Sequence, residues 1–218
     1  NATNFTVTGI LASGETITSV TLTPNAAGLS ATTAAGSSYV VTPSAATGAG
    51  GFVASNYNIT YLPYNGTVVK ATLTYTAANQ SVQYGTSVVT VTGAGTSTIA
   101  GFVNSETSTV VSGTVSYSTN YTALSLPGTS GLVVTPVLTG LSAQNYSFSA
   151  VSGTVNVGRK TLTVNGSVAA GKIYDGTTTV NISGGTLVGV VGSDVVALTQ
   201  TGSFVDRNVS RTSASDTN

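Results

Sequence analysis

The chain repeats itself, and this constrains its fold more than any single motif does. Tyr39-Val40-Val41-Thr42-Pro43 is matched by Leu132-Val133-Val134-Thr135-Pro136, Asn56-Tyr57 by Asn145-Tyr146, and Thr72-Leu73-Thr74 by Thr161-Leu162-Thr163. Gly9-Ile10-Leu11-Ala12-Ser13-Gly14-Glu15-Thr16 parallels Gly101-Phe102-Val103-Asn104-Ser105-Glu106-Thr107, and Tyr84-Gly85 finds its counterpart in Tyr174-Asp175-Gly176. The offset stays near about ninety residues, drifting only by small insertions; a fixed period of this kind marks one supersecondary unit used over and over. In this frame residues 71–159 make a complete unit. Residues 1–70 make a unit without its opening strands, and 160–218 one that stops before its closing strands.

Within the repeat the side chains alternate with period two. Tyr57-Asn58-Ile59-Thr60-Tyr61, Thr72-Leu73-Thr74-Tyr75-Thr76, Tyr146-Ser147-Phe148, Thr154-Val155-Asn156-Val157 and Thr161-Leu162-Thr163-Val164 each put large residues on one face and polar ones on the other. That is the pattern of half-buried strands, and Val and Thr suit strands by their shape. Turn-forming pairs punctuate them: Asn65-Gly66, Pro127-Gly128, Asn165-Gly166, Asp175-Gly176 and Gly184-Gly185. No helical period of useful length is present. The expected class is all-β, as tandem immunoglobulin-like β-sandwich repeats, since such a sandwich takes roughly a hundred residues. The junctions Val69-Lys70-Ala71 and Gly158-Arg159-Lys160 lack Pro and flexible Gly/Ser linkers, which favours stiff stacking.

Composition closes off several functions. Charged residues are 6% of the chain and its net charge is zero, so no basic patch exists for nucleic acid. The sequence has no Cys or His, which removes disulfides, thiol chemistry and the commonest metal ligand. No apolar run approaches the ~20 residues of a spanning helix, so no membrane insertion is expected. Hydrophobic residues nonetheless make up 40%, with ten Tyr and five Phe, enough to build a core and to argue against a disordered linker.

Two sets of motifs resemble known repeats. Lys172-Ile173-Tyr174-Asp175-Gly176-Thr177-Thr178-Thr179, with Gly185 to Asp194 and Gly202-Ser203-Phe204-Val205-Asp206-Arg207-Asn208-Val209, resembles the YDG-type repeat. Arg207 and Ser210 stand where that family more often has Lys and Gly. Val82-Gln83-Tyr84-Gly85, Gly101 to Thr107 and Leu141-Ser142-Ala143-Gln144-Asn145-Tyr146 resemble the related MBG-type repeat. The resemblance implies large secreted bacterial surface proteins, including filamentous-haemagglutinin-like adhesins. It implies an extracellular location and no particular ligand.

Candidate sites are few. Glu15, Glu106, Asp175, Asp194, Asp206 and Asp216 are scattered, whereas glycosidase chemistry needs two facing carboxylates and calcium needs several converging oxygens. No catalytic residue, cofactor or metal site is expected, and the chain reads as a non-enzyme. Glu15 and Glu106 read as turn or capping residues, Asp175 as a turn residue, and Asp194, Asp206 and Arg207 as a structural pairing group. The repeat-signature residues are Tyr57, Tyr146, Tyr84, Gly85, Tyr174, Asp175 and Gly176. Tyr57 and Tyr146 read as core tyrosines whose hydroxyls find backbone partners, like a tyrosine corner, in preference to an aromatic ligand platform. Lys70, Arg159 and Lys160 read as solvated charge at the junctions. Asn58, Asn65, Asn120, Asn165 and Asn181 lie in Asn-X-Ser/Thr sequons and are candidate glycosylation acceptors.

The function expected is a structural stalk or filament scaffold of an adhesin or extracellular fibre. One alternative is a module that binds glycans or a cell surface. Another is a subunit that assembles head to tail, the strands of 160–218 completing the unit 1–70 of the next molecule. The expected partners are neighbouring repeats or other copies of the chain, and a surface glycan in the binding-module alternative.

Overall fold

The computed structural model describes residues 5–25 and 30–207. The readings placed on Asn208, Val209, Ser210 and Asp216 fall outside the described residues. In chain order the strands are β1 (Thr16–Pro24), β2 (Ser38–Ala49), β3 (Tyr64–Thr67), β4 (Ala71–Ala77), β5 (Gln80–Gln83), β6 (Ser97–Ala100), β7 (Ser116–Thr119) and β8 (Val133–Val137). There follow β9 (Tyr146–Val151), β10 (Gly153–Gly158), β11 (Thr163–Asn165), β12 (Val168–Ala169), β13 (Thr179–Val180), β14 (Ile182–Ser183), β15 (Thr186–Val188) and β16 (Gly202–Ser203). Among the described residues one helix, α1 (Val88–Gly93), interrupts them. The protein is all-β apart from this turn and a few 3-10 residues.

The chain forms two compact units, neither a continuous run of sequence. The first holds residues 1–78, 95–118 and 135–152; the second holds 79–94, 119–134 and 153–218. Residues 71–159 are thus divided between them.

In the first unit, β1, β2 and β3 form an antiparallel meander. A second sheet runs β6-β4-β9, with β4 at its centre. β4 pairs antiparallel with β6 and parallel with β9, so that Ala71 faces Tyr146 and Leu73 faces Phe148. The alternation read in the sequence holds on β4: Leu73, Tyr75 and Ala77 are buried while Thr72 and Thr76 are exposed. Leu73, Tyr75, Ala143 and Tyr146 form the core, with Ile99, Phe102 and Phe148 packed against it. Tyr75 meets Phe148 edge-on, ring centroids 6.2 Å apart.

In the second unit β5 runs parallel to β10, which pairs antiparallel with β8. Val155 and Val157 of β10, Val134 of β8, Val91 of α1, Leu132 and Tyr121 are buried there. The Tyr121 hydroxyl donates to the Thr86 carbonyl at 2.8 Å, satisfying the one polar atom that side chain buries. Residues 163–170 and 181–188 form a hairpin: β11 pairs with β15, β12 with β14, and Ala170 N–H donates to Asn181 O.

Four sequence expectations are corrected. Asn65-Gly66 is not a turn but lies inside β3, opposite Val40 and Tyr39; a Cβ on Gly66 would sit 2.4 Å from the Tyr39 ring, so this glycine makes room for an aromatic. Asn165-Gly166 and Gly184-Gly185 are not separate turns, because they face each other in the interruption between β11/β15 and β12/β14. Tyr57–Tyr61 keeps its alternating burial but is not hydrogen-bonded as a strand. The sequence Val88-Val89-Thr90-Val91-Thr92-Gly93 is helical although nearly every residue is β-branched. Ser87 caps it, accepting Thr90 N–H at 3.1 Å, and Val91 is buried beneath it; packing and a cap outweigh a propensity deficit of a few tenths of a kcal/mol per residue.

Leu73 is fully enclosed, so Leu73→Ala should destabilise the chain by about 2–5 kcal/mol, transfer and cavity terms together. Urea unfolding followed by tyrosine fluorescence measures it; a loss below about 1 kcal/mol would show that β4 is not the centre of this core.

Candidate functional site

Tyr57 and Tyr146 build the same clasp twice in the first unit. The Tyr146 hydroxyl accepts the Val103 N–H at 3.0 Å and donates to the Glu106 carboxylate. The Tyr57 hydroxyl accepts the Ala12 N–H at 3.1 Å and donates to Glu15. In both, the glutamate N–H bonds back to the same loop residue, Glu106 to Val103 O at 3.0 Å and Glu15 to Ala12 O at 3.1 Å. Glu15 and Glu106 are therefore more than turn residues: each is the acceptor that holds a tyrosine ring against its loop. Phe52 stacks on Tyr57 at 5.5 Å, and Phe102 meets Tyr146 edge-on at 5.9 Å. Bonding to the carboxylate raises both phenols above the ordinary value of 10.0, through the hydrogen bond to Glu15 for Tyr57 and to Glu106 for Tyr146.

Asparagine supplies a second recurring device. Asn25 Oδ1 accepts Val40 N–H at 2.9 Å. Asn120 Oδ1 accepts Val133 N–H at 2.8 Å while its Nδ2 donates to Gly131 O at 2.9 Å. The amide side chain extends the ladder beyond the strand end. Of the five candidate acceptors for glycosylation, Asn120 is thus bound on both side-chain atoms. Asn58, Asn65, Asn165 and Asn181 are exposed, Asn65 on β3 and Asn165 closing β11.

Lys70 is anchored, not merely solvated. Its ammonium donates to Ala143 O at 2.8 Å, and Asn145 Oδ1 nearby accepts Ala35 N–H at 3.0 Å. In the second unit Tyr84 donates to Asp194 at 3.3 Å, which raises its phenol, and Gly85 lies so close to Val191 that a Cβ would come within 2.6 Å of it. Asp194 is thereby bound to a tyrosine.

Tyr174-Asp175-Gly176 lies in the loop at the tip of the 163–188 hairpin. Lys172 reaches across it, its ammonium 2.8 Å from Asp175 Oδ1 and 2.7 Å from Thr179 O. The same Asp175 oxygen accepts the Thr177 N–H and hydroxyl, each at 2.9 Å. Asp175 is held at about 2, below its ordinary 3.8, chiefly by the Lys172 hydrogen bond and then by the Thr177 amide. The chain's own lysine fills the oxygen cage that a cation would otherwise seek. Ile173 and Tyr174, between the lysine and the aspartate, are 91% and 63% exposed. Sequence reading assigned Lys172 no role; its position three residues before Asp175 was the available signal.

Among the described residues no three His, Cys, Asp or Glu side chains gather as metal ligands. No helix there is long and apolar enough to cross a membrane. A groove of about 970 Å³ lies in the first unit, lined by residues 5–11 and 57–64 and by β1 and β2 side chains such as Val20, Leu22 and Val41.

These features define a β-strand protein stapled by tyrosine, asparagine and lysine side chains. Within it, a YDG domain is found at residues 158–217. Searches of curated proteins and of solved structures gave no match.

Tyr146→Phe should lower the melting temperature by a few degrees, since it strands the Val103 amide and Glu106. The tyrosine contribution is fully present below pH 10 and lost as pH rises through the raised folded values. Wild type should therefore lose more stability above pH 10 than Tyr57→Phe/Tyr146→Phe, and identical alkaline melting curves would refute the clasp. In the hairpin tip, the Thr177 amide resonance should titrate with Asp175, midpoint about 2. The order this gives the loop is present above 3.8 and lost as pH falls through that midpoint. Asp175→Asn should abolish the titration and speed tryptic cleavage after Lys172; unchanged cleavage would mean the ion pair does not hold the loop.

Proposed function

We propose that the chain is a length of tandem immunoglobulin-like repeats, two MBG-like units followed by the YDG domain, in a secreted bacterial adhesin or extracellular fibre. It serves there as stalk or filament scaffold. The observation that carries this reading is the double occurrence of one clasp, Glu15–Tyr57 and Glu106–Tyr146, each with the same backbone donor. A ligand site is usually one special arrangement, whereas a clasp repeated at corresponding places belongs to the construction of each unit.

The junction contacts favour load bearing. Lys70 and Asn145 tie residues 1–70 to the segment after it, and Tyr84 with Gly85 ties that segment to the YDG domain through Asp194 and Val191. A charged fraction of 6% with neither Cys nor Met leaves few tryptic sites and little to oxidise, which suits long exposure outside a cell.

Two measurements test the proposal together. Antibody raised against the purified chain should label intact producing cells, and the chain should show no saturable binding to glycan panels or host cells. Labelling only after permeabilisation would sink the extracellular assignment. Specific, saturable binding by the chain would replace the scaffold with an adhesive module.

A further inference from the structure

Three pairs in the chain put glycine directly after a side chain that can close on it: Asn65-Gly66, Asn165-Gly166 and Asp175-Gly176. Glycine has no Cβ to shield its amide nitrogen or to restrict its backbone. That nitrogen can therefore attack the carbonyl carbon of the preceding side chain and close a five-membered imide. Ammonia leaves when the side chain is an amide, and water leaves when it is a protonated acid. Two conditions govern the step: the glycine nitrogen must be free to approach, and the side-chain carbon must be electrophilic. The three pairs meet these conditions differently.

Asn65-Gly66 is locked in β3. Val40 N–H donates to Asn25 Oδ1 and Val40 O accepts Asn25 N–H, so both backbone groups of Val40 turn away from β3. Antiparallel bonds alternate along a ladder, so the β2–β3 bonds fall on the neighbouring pair, Tyr39 with Gly66. The Tyr39 ring also covers the glycine, its nearest atom 2.4 Å from where a Cβ would stand. Asp175-Gly176 is disarmed by charge. Lys172 and the Thr177 amide hold the Asp175 oxygen at 2.8 Å and 2.9 Å and keep the group ionised down to about 2. An ionised carboxylate is a poor electrophile and has no leaving group to lose.

We propose that Asn165 is a site of spontaneous modification, converted through Gly166 to aspartate and isoaspartate while Asn65 and Asp175 persist. Asn165 ends β11, and Gly166 and Ser167 lie outside both ladders, in the interruption between β11/β15 and β12/β14. Gly166 is exposed with φ +74°, and a Cβ on it would meet only Gly184 O, at 3.5 Å. The glycines Gly184 and Gly185 face it across the hairpin, so the backbone on both sides can swing. In the reaction the Gly166 nitrogen gives up its proton and bonds to Asn165 Cγ, the Cγ–Nδ2 bond breaks, and ammonia departs. Water then opens the imide. Addition at Cγ restores a normal peptide bond as aspartate; addition at the main-chain carbonyl leaves isoaspartate, with one more carbon in the backbone. The sum is one water in and one ammonia out, with no other reactant. The product puts a carboxylate on a chain of zero net charge. It stands at the end of β11, one of only two strands in its sheet and therefore open along one edge, where a charge discourages pairing with another strand.

The test uses the unglycosylated 218-residue chain, incubated in mildly alkaline buffer made with heavy-oxygen water and mapped by peptide mass spectrometry. The Asn165 peptide should convert with time to aspartate and isoaspartate, each carrying one heavy oxygen, with isoaspartate in excess. Conversion at Asn65 should be about tenfold slower or more, because freeing the Gly66 amide costs on the order of 1.4 kcal/mol of ladder bonding, and that is tenfold in an equilibrium. In urea the two asparagines should react at similar rates, since Asn-Gly-Thr and Asn-Gly-Ser are nearly the same sequence. An Asn165 no faster than Asn65 in the folded chain would overturn the proposal. So would an Asn165 that stays intact while the unfolded chain converts, or isomerisation at Asp175 as fast as the change at Asn165. Conversion to aspartate alone would also overturn it, since direct hydrolysis of the amide does not pass through Gly166.

Discussion

Strand β4 holds its part of the molecule together because both of its edges and one of its faces are used. Its antiparallel bonds to β6 and parallel bonds to β9 join distant parts of the chain, Ala71 pairing with Tyr146 and Leu73 with Phe148. Such closure costs loop entropy before it returns any contact energy. The return comes from Leu73 and Tyr75, each worth roughly 1.5–3 kcal/mol when fully buried, and from aromatic contacts with Phe148.

Around that closure the protein uses very few charges, and it uses them locally. Glu15 and Glu106 each fasten a tyrosine, Asp194 accepts a third, and Asp175 holds Lys172. Surface ion pairs contribute little to stability, but a carboxylate that accepts a tyrosine hydroxyl fixes a ring, and with it the loop whose amide bonds to the same oxygen. Tyrosine hydroxyls, asparagine amides and the ammonium groups of Lys70 and Lys172 do the fastening in a chain with no Cys and few charges. The same scarcity of charge leaves strand edges with little of the usual protection against pairing.

The YDG loop shows how a signature sequence can be structural. Tyr174 and Ile173 face solvent, while Asp175 bonds forward to Thr177 and sideways to Lys172. The tripeptide is therefore best understood together with the lysine before it and the threonines after it. Each short strand of the surrounding domain finds one partner, and Val180 is its sole buried hydrophobic among the described residues.

The sequence by itself determined the β class and the alternation on β4, β9 and β10. These are properties of neighbouring residues, and a period of two survives whatever the strand pairs with. It also marked Tyr57 and Tyr146 as equivalent tyrosines with hydroxyl partners. Only the tertiary structure decided what those partners were, because Glu15 and Glu106 lie about forty residues away along the chain. It turned Asn65-Gly66 from a turn into a strand, since the need for glycine came from the Tyr39 ring on the adjacent strand. It made a helix of the β-branched run at Val88, through a cap and one buried valine. It also left Tyr57–Tyr61 unpaired despite a strand's alternation. A strand exists only where another backbone offers its hydrogen bonds, and no stretch of sequence carries that information alone.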